Sequence, residues 1–142
     1  MKRATLCAGG TFRIVGPVDA FALGFAMGLI VGEGSFTGDR QQASLEIRMH
    51  RRDLEALERI QRLLGGRIFG PYLHAGRNQY VYMLRGTELR AALPVIEEHL
   101  PSSWKRVQYE AWQAKYRDYL ERPQPSQALL DRVQRVLLSG DR

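Results

Sequence analysis

A single cysteine, Cys7, stands among the 142 residues, so no internal disulfide can form and no thiolate cluster can hold a metal. Lysine is scarce too: 18 of the 21 basic residues are arginine and 3 are lysine. The apolar run from Phe21 to Val31 covers 11 residues, too few to span a bilayer and typical of a buried helix. Met1-Lys2-Arg3 has the charge of a secretory leader, but Arg13 and Asp19 break up the next stretch of chain and no apolar segment precedes Cys7. A disulfide-stapled secreted domain and a membrane protein are therefore not expected. The expected location is the cytoplasm, or an organelle if an organelle genome encodes the chain. Internal repeats, low-complexity segments, zinc-finger patterns and nucleotide-binding glycine loops are all missing, and His74 and His99 have no ligand-like spacing.

What is present is positive charge. The formal net charge is +6 and the isoelectric point about 9.9. That balance favours a polyanionic partner, and arginine suits bidentate contacts to phosphate and guanine. A basic protein with no special partner would have the same balance, so charge alone does not decide. The length suits one domain with an adequate core.

The stretch Phe21 to Phe36, FALGFAMGLIVGEGSF, organises the rest. Gly24, Gly28 and Gly32 recur every fourth residue and line one narrow helical face. Glycine inside a helix costs about 0.5–1 kcal/mol relative to alanine, so close approach of a second helix backbone is the natural compensation. The motif occurs once, so the second helix is expected from a second chain. Two such helices side by side would bring two Glu33 carboxylates together.

The run Ala26-Met27-Gly28-Leu29-Ile30-Val31-Gly32-Glu33-Gly34, with Ser35-Phe36 after it, resembles the motif of the LAGLIDADG homing endonucleases. One position departs: the first acidic residue of the motif is Val31 here, which bears on how the helix ends more than on chemistry. The resemblance extends loosely from about Asp19 to Leu120. It implies an α+β fold of order αββαββα, with a four-stranded antiparallel sheet forming a saddle over DNA and additional C-terminal helices.

The local patterns fit that order. Residues 1–17 form an N-terminal arm with a short strand near Thr11–Val15, and Asp19 caps a motif helix from about Ala20 to Gly32. Ser35–Thr37 starts a strand, with a turn at Gly38-Asp39. Gln42 to His50 alternates, with Ala43, Leu45, Ile47 and Met49 on one face and polar residues on the other. Asp53 caps a helix with Leu54, Leu57, Ile60 and Leu64 buried, ended by Gly65-Gly66. A hairpin then joins Arg67–Phe69 and Gly70-Pro71 to Asn78–Arg85. Thr87 caps a helix broken or kinked at Pro94, and residues 103–121 form another with Val107, Trp112, Tyr116 and Leu120 inward. The endonuclease domain is thus residues 18–121. Residues 122–142 make a linker and a terminal helix, capped by Ser126, that packs on it. Tyr72, Tyr80, Tyr82, Trp104 and Trp112 are expected in packing roles.

Hydrolysing a phosphodiester calls for charge neutralisation, an activated water and a stabilised leaving oxygen, which divalent metals held by carboxylates supply. The resemblance implies that Glu33 holds Mg2+ (or another divalent ion), helped by the Gly32 carbonyl. It also implies a basic residue after the second saddle strand, matching Arg51 or its neighbour Arg52, and a lysine with glutamine three residues on, matching Lys105 and Gln108. These would orient water and stabilise charge at the scissile phosphate. A two-stranded ribbon fits the major groove, so Gln42, Glu46, Arg48 and His50, with Arg40, Arg67, Arg77 and Gln79, are expected to contact DNA. The expectation is a homodimer, paired through Gly24, Gly28 and Gly32, cutting a palindromic or near-palindromic duplex. A non-cleaving DNA-binding regulator of the same fold and an RNA-splicing maturase are the alternatives.

Overall fold

The structure is a computed structural model; it describes residues 4–7, 11–14 and 19–122. The linker beyond Arg122 and the helix expected after Ser126 lie outside these residues. Strands β1 (Ala4–Cys7) and β2 (Thr11–Ile14) pair as an antiparallel hairpin, so the short strand expected near Thr11 has a partner that no sequence pattern announces. The remaining order is α1 (Ala20–Glu33), β3 (Gly34–Gly38), β4 (Ala43–His50), a 3-10 turn (Arg51–Asp53), α2 (Leu54–Leu64), β5 (Arg67–His74), β6 (Arg77–Arg85), α3 (Gly86–His99), α4 (Trp104–Lys115) and α5 (Arg117–Leu120). This is the expected α+β succession. The four later strands form one antiparallel sheet ordered β3-β4-β6-β5.

The two central strands, β4 and β6, each bury one face, as their alternation requires. Ala43, Leu45 and Ile47 of β4 and Tyr82 and Leu84 of β6 meet Ala26, Met27 and Ile30 of α1, Leu57, Ile60 and Leu64 of α2, and Leu89, Ala92 and Ile96 of α3 in one core. At the β3 edge of the same core, α4 is stapled to β3: the Phe36 ring centroid lies 5.2 Å from that of Tyr109, edge to face, and 5.1 Å from that of Trp112, and the Trp112 indole donates to the Thr37 carbonyl at 2.7 Å. The Tyr116 hydroxyl donates to the Asp39 carbonyl at 2.8 Å. These bonds offset the polar cost of burying large aromatic rings against a strand end.

Several local expectations need correcting. Asp19 does cap α1, accepting from the Phe21 amide at 2.9 Å. Asp53, however, makes no side-chain cap bond; His50 Nδ1 accepts from the Arg52 amide at 3.2 Å and starts the 3-10 turn instead. Thr87 is not the cap of α3, which begins at Gly86 and runs unbroken past Pro94. The buried stripe of α4 is Tyr109 and Trp112, and Val107 is 50% exposed. Its helix stops at Tyr116, where the backbone leaves helical angles (φ −106°, ψ 24°) before α5. Trp104 and Tyr72 are exposed rather than packed. For Tyr72 the reason is a bulge: Phe69 pairs with Val81 but Tyr72 with Gln79, so Gly70 and Pro71 on β5 oppose Tyr80 alone on β6 and the alternation changes phase.

The helix-to-strand corner at Gly34 fixes where α1 ends. Its backbone angles suit any residue, but a Cβ there would stand 2.6 Å from the Ile30 carbonyl oxygen. Only glycine lets β3 leave the helix this tightly. Gly34→Ala is expected to cost about 1–3 kcal/mol, read as a lower denaturant midpoint with unchanged m value.

Candidate functional site

Glu33 is the last residue of α1 and is exposed. The final carbonyls of a helix lack intrahelical partners and carry its negative dipole end. Here no basic side chain lies in the last turn, and the Ile30 carbonyl alone is taken by the Gly34 amide. Electronegative oxygen is therefore concentrated at this helix foot, and a carboxylate has been added to it. The compensating cation comes from elsewhere in the chain. Lys105, in the first turn of α4, donates its ammonium to the Gly34 carbonyl at 2.5 Å. The structure thus brings Lys105 to the peptide next to Glu33, across 71 residues of sequence. Among the described residues it makes no other hydrogen bond, and an ammonium has three donors. Lys105→Met is expected to lose about 1.5–3 kcal/mol of stability, the range for a charged hydrogen bond, measured by denaturant titration.

Arg51 and Arg52 sit in the 3-10 turn, both exposed. The register sets Gly34 opposite Ile47, so Arg51 comes four residues later, in the turn just beyond the end of β4. Neither arginine is placed against Glu33 by a contact in one chain. Gly24, Gly28 and Gly32 are exposed, and a Cβ at any of them would meet nothing within 4 Å. Within one chain, then, nothing packs on the glycine face of α1 among the described residues. Phe21, at the start of the same helix, is 66% exposed, with the Arg59 guanidinium 6.0 Å from its ring.

The outer face of the sheet gathers most of the expected contact residues. Cross-strand pairing sets Glu46 beside Met83, Arg48 beside Val81 and His50 beside Gln79, with Arg67 across from Met83. Arg77 shares the same face at the far end of β6. Glu46, partly buried, and Arg48, exposed, approach to 3.8 Å as an ion pair that a polyanion could readily separate. Because His50 Nδ1 accepts from the Arg52 amide, its Nε2 carries the proton and is the imidazole's donor. Arg40 and Gln42 fall outside this array. Both are in the β3–β4 connection, where Asp39 accepts from the Gln41 and Gln42 amides at 2.8 and 2.7 Å. Those two bonds hold the Asp39 carboxyl below the usual carboxylate range. Arg85 and Phe69, neither among the expected contact residues, also lie on the outer face. Alternation from Tyr82 and Leu84 inward is the signal that finds Arg85.

No protein-family model and no curated protein matches the chain. Solved structures do. The homing endonuclease I-TnaI matches at a TM-score of 0.54 and 20% identity, over 65% of this chain and 69% of that one. The LAGLIDADG meganuclease I-AabMI, bound to uncleaved DNA, matches at 0.56 and 27% identity, over 66% and 35%.

The chain has the LAGLIDADG homing-endonuclease fold.

A second LAGLIDADG meganuclease, I-CpaMI, also bound to uncleaved DNA, matches at 0.53 and 22% identity over 70% and 39%. The chain thus spans under half the length of either meganuclease. The family resemblance carried by the motif run from Gly28 to Gly34 is borne out, and so are the four-stranded antiparallel sheet and its helices. In LAGLIDADG terms α1 is the motif helix, and its foot and the outer sheet face are the two places where chemistry is concentrated.

Proposed function

We propose that this chain is one half of a homodimeric, sequence-specific DNA endonuclease that makes a staggered double-strand break in a palindromic or near-palindromic target. The observation that carries the reading is the bare glycine face of α1, exposed along its whole length and ending on an exposed Glu33. One chain explains neither the three glycines nor the solitary carboxylate. A twofold-related copy explains both, because an isologous contact along Gly24, Gly28 and Gly32 sets the two carboxylates beside one another.

The donor set fits magnesium on that condition. Among the described residues no three His, Cys, Asp or Glu side chains converge, so one chain offers Glu33 and backbone carbonyls such as Gly32. Magnesium takes oxygen ligands and keeps several waters, so a pair of carboxylates with carbonyl help is sufficient. A bound divalent ion would neutralise charge on the scissile phosphate and activate water there. Lys105 supplies a fixed positive charge one peptide away, suited to holding a water or a developing oxyanion. Arg51 or Arg52 would reach the flanking phosphates. Meanwhile the outer face, with Arg48, Arg67, Arg77 and Arg85 against one Glu46, lies along the major groove. Such a break would mobilise an intron or similar element, acting wherever the host's DNA is accessible.

The test is selection on a randomised palindromic duplex library, with magnesium and then calcium, for wild type and Glu33→Gln. Staggered cuts by wild type with magnesium support the proposal and yield the target. Duplexes retained by both proteins and cut by neither would leave a DNA-binding regulator. Retention of folded RNA in preference to every duplex would favour the maturase.

A further inference from the structure

The outer sheet face is not uniformly polar. Two rows have an apolar residue at their centre on β6: Val81 lies between Arg48 and Phe69, and Met83 between Glu46 and Arg67. The bulge in β5 adds Tyr72 to this face, 52% exposed. Phe69, Tyr72, Val81 and Met83 line an open groove of about 470 Å³, with Arg48 and Arg85 among its walls. A sheet face meant only for phosphates has no use for apolar groups in its centre, since phosphate contacts call for donors. The major groove offers one apolar feature to such a surface, the 5-methyl group of thymine. The arginine rim is complementary in charge to the strands that would flank it.

Resting on the DNA-binding reading above, we infer that Val81, Met83 and Phe69 form a thymine-methyl subsite, so that each half-site carries a specified thymine at the rows of Val81 and Met83. Val81, only 8% exposed, is the floor of this subsite, while Met83 and Phe69, both partly exposed, form its walls. Met83 is unbranched and adaptable, which suits a wall that must close on a methyl group. Arg48 and Arg85, at the edges, would engage guanine or phosphate on either side.

The experiment starts from a duplex selected with calcium and replaces each thymine in turn by deoxyuridine, which removes the methyl group and nothing else. Burying one such carbon predicts a loss of roughly fourfold in affinity per methyl contacted. Met83→Gln keeps side-chain length and leaves the core untouched, and Val81→Thr is close in shape; circular dichroism confirms that each folds. The inference stands if one or two positions per half-site lose affinity in wild type and the loss shrinks in these variants. It is overturned if every deoxyuridine duplex binds wild type as well as its parent, or if the variants show the same loss as wild type. In both of those results duplex binding itself persists, so the DNA reading survives. Retention of no duplex at all would overturn the subsite and the DNA reading together.

Discussion

Glu33→Gln is expected to lower DNA cleavage at least about a thousandfold, some 4 kcal/mol of transition-state stabilisation, while duplex affinity in calcium stays within a few-fold. The substitution preserves side-chain volume at an exposed position, so the fold is not at stake. What it removes is the carboxylate that ends α1, the oxygen donor that the proposed metal site would need. Binding should persist because the outer sheet face is untouched. A loss of binding equal to the loss of cutting would instead mean that Glu33 acts through folding or pairing. Measuring single-turnover cleavage and calcium-supported binding on the same duplex separates the two.

Gly28→Leu should abolish dimerisation while leaving the single chain at least as stable as before. In one chain a Cβ at Gly28 meets nothing within 4 Å, so leucine enters open space, and replacing a helix-interior glycine by a good helix former is worth about 0.5–1 kcal/mol. In a helix pair of the kind the glycine face allows, the same side chain would hold the backbones apart. Light scattering is expected to report a dimer for wild type and a monomer for Gly28→Leu, with a melting temperature no longer dependent on protein concentration. Cleavage should fall with the dimer. Gly34→Ala makes the contrast, since its cost arises inside the chain at Ile30 and does not involve a partner.

Much of this architecture is legible in the sequence because its signals are local and redundant. The glycine period, the apolar run and the Gly-Glu-Gly ending all point to the same helix foot, and the alternation from Ala43 to His50 sets the buried face of β4 without ambiguity. Lys105 comes from the family pattern, and only the fold shows that its ammonium reaches Gly34. Other features are hidden for physical reasons. A bulge changes the phase of β5, and no periodicity before it announces that Tyr72 will turn outward. Val81 and Met83 look like core residues in a strand rich in apolar side chains, and only the register with Arg48 and Glu46 shows the face they occupy. Gln42 continues the alternation of β4 in sequence, yet Asp39 captures its amide and keeps it in the connection. Trp104 sits at the start of α4, where the helical stripe has yet to be set, and it is 74% exposed.

The central claim is that two chains share one cutting centre, each giving one Glu33. Its most direct measurement is cleavage of the selected target on a plasmid by wild type and Glu33→Gln mixed in equal amounts and allowed to exchange. The account predicts that double-strand cutting falls to about a quarter of the wild-type rate, the share of dimers in which both chains are wild type. A fall to only about a half, in proportion to wild-type chains, would show that each chain cuts alone and would contradict the account.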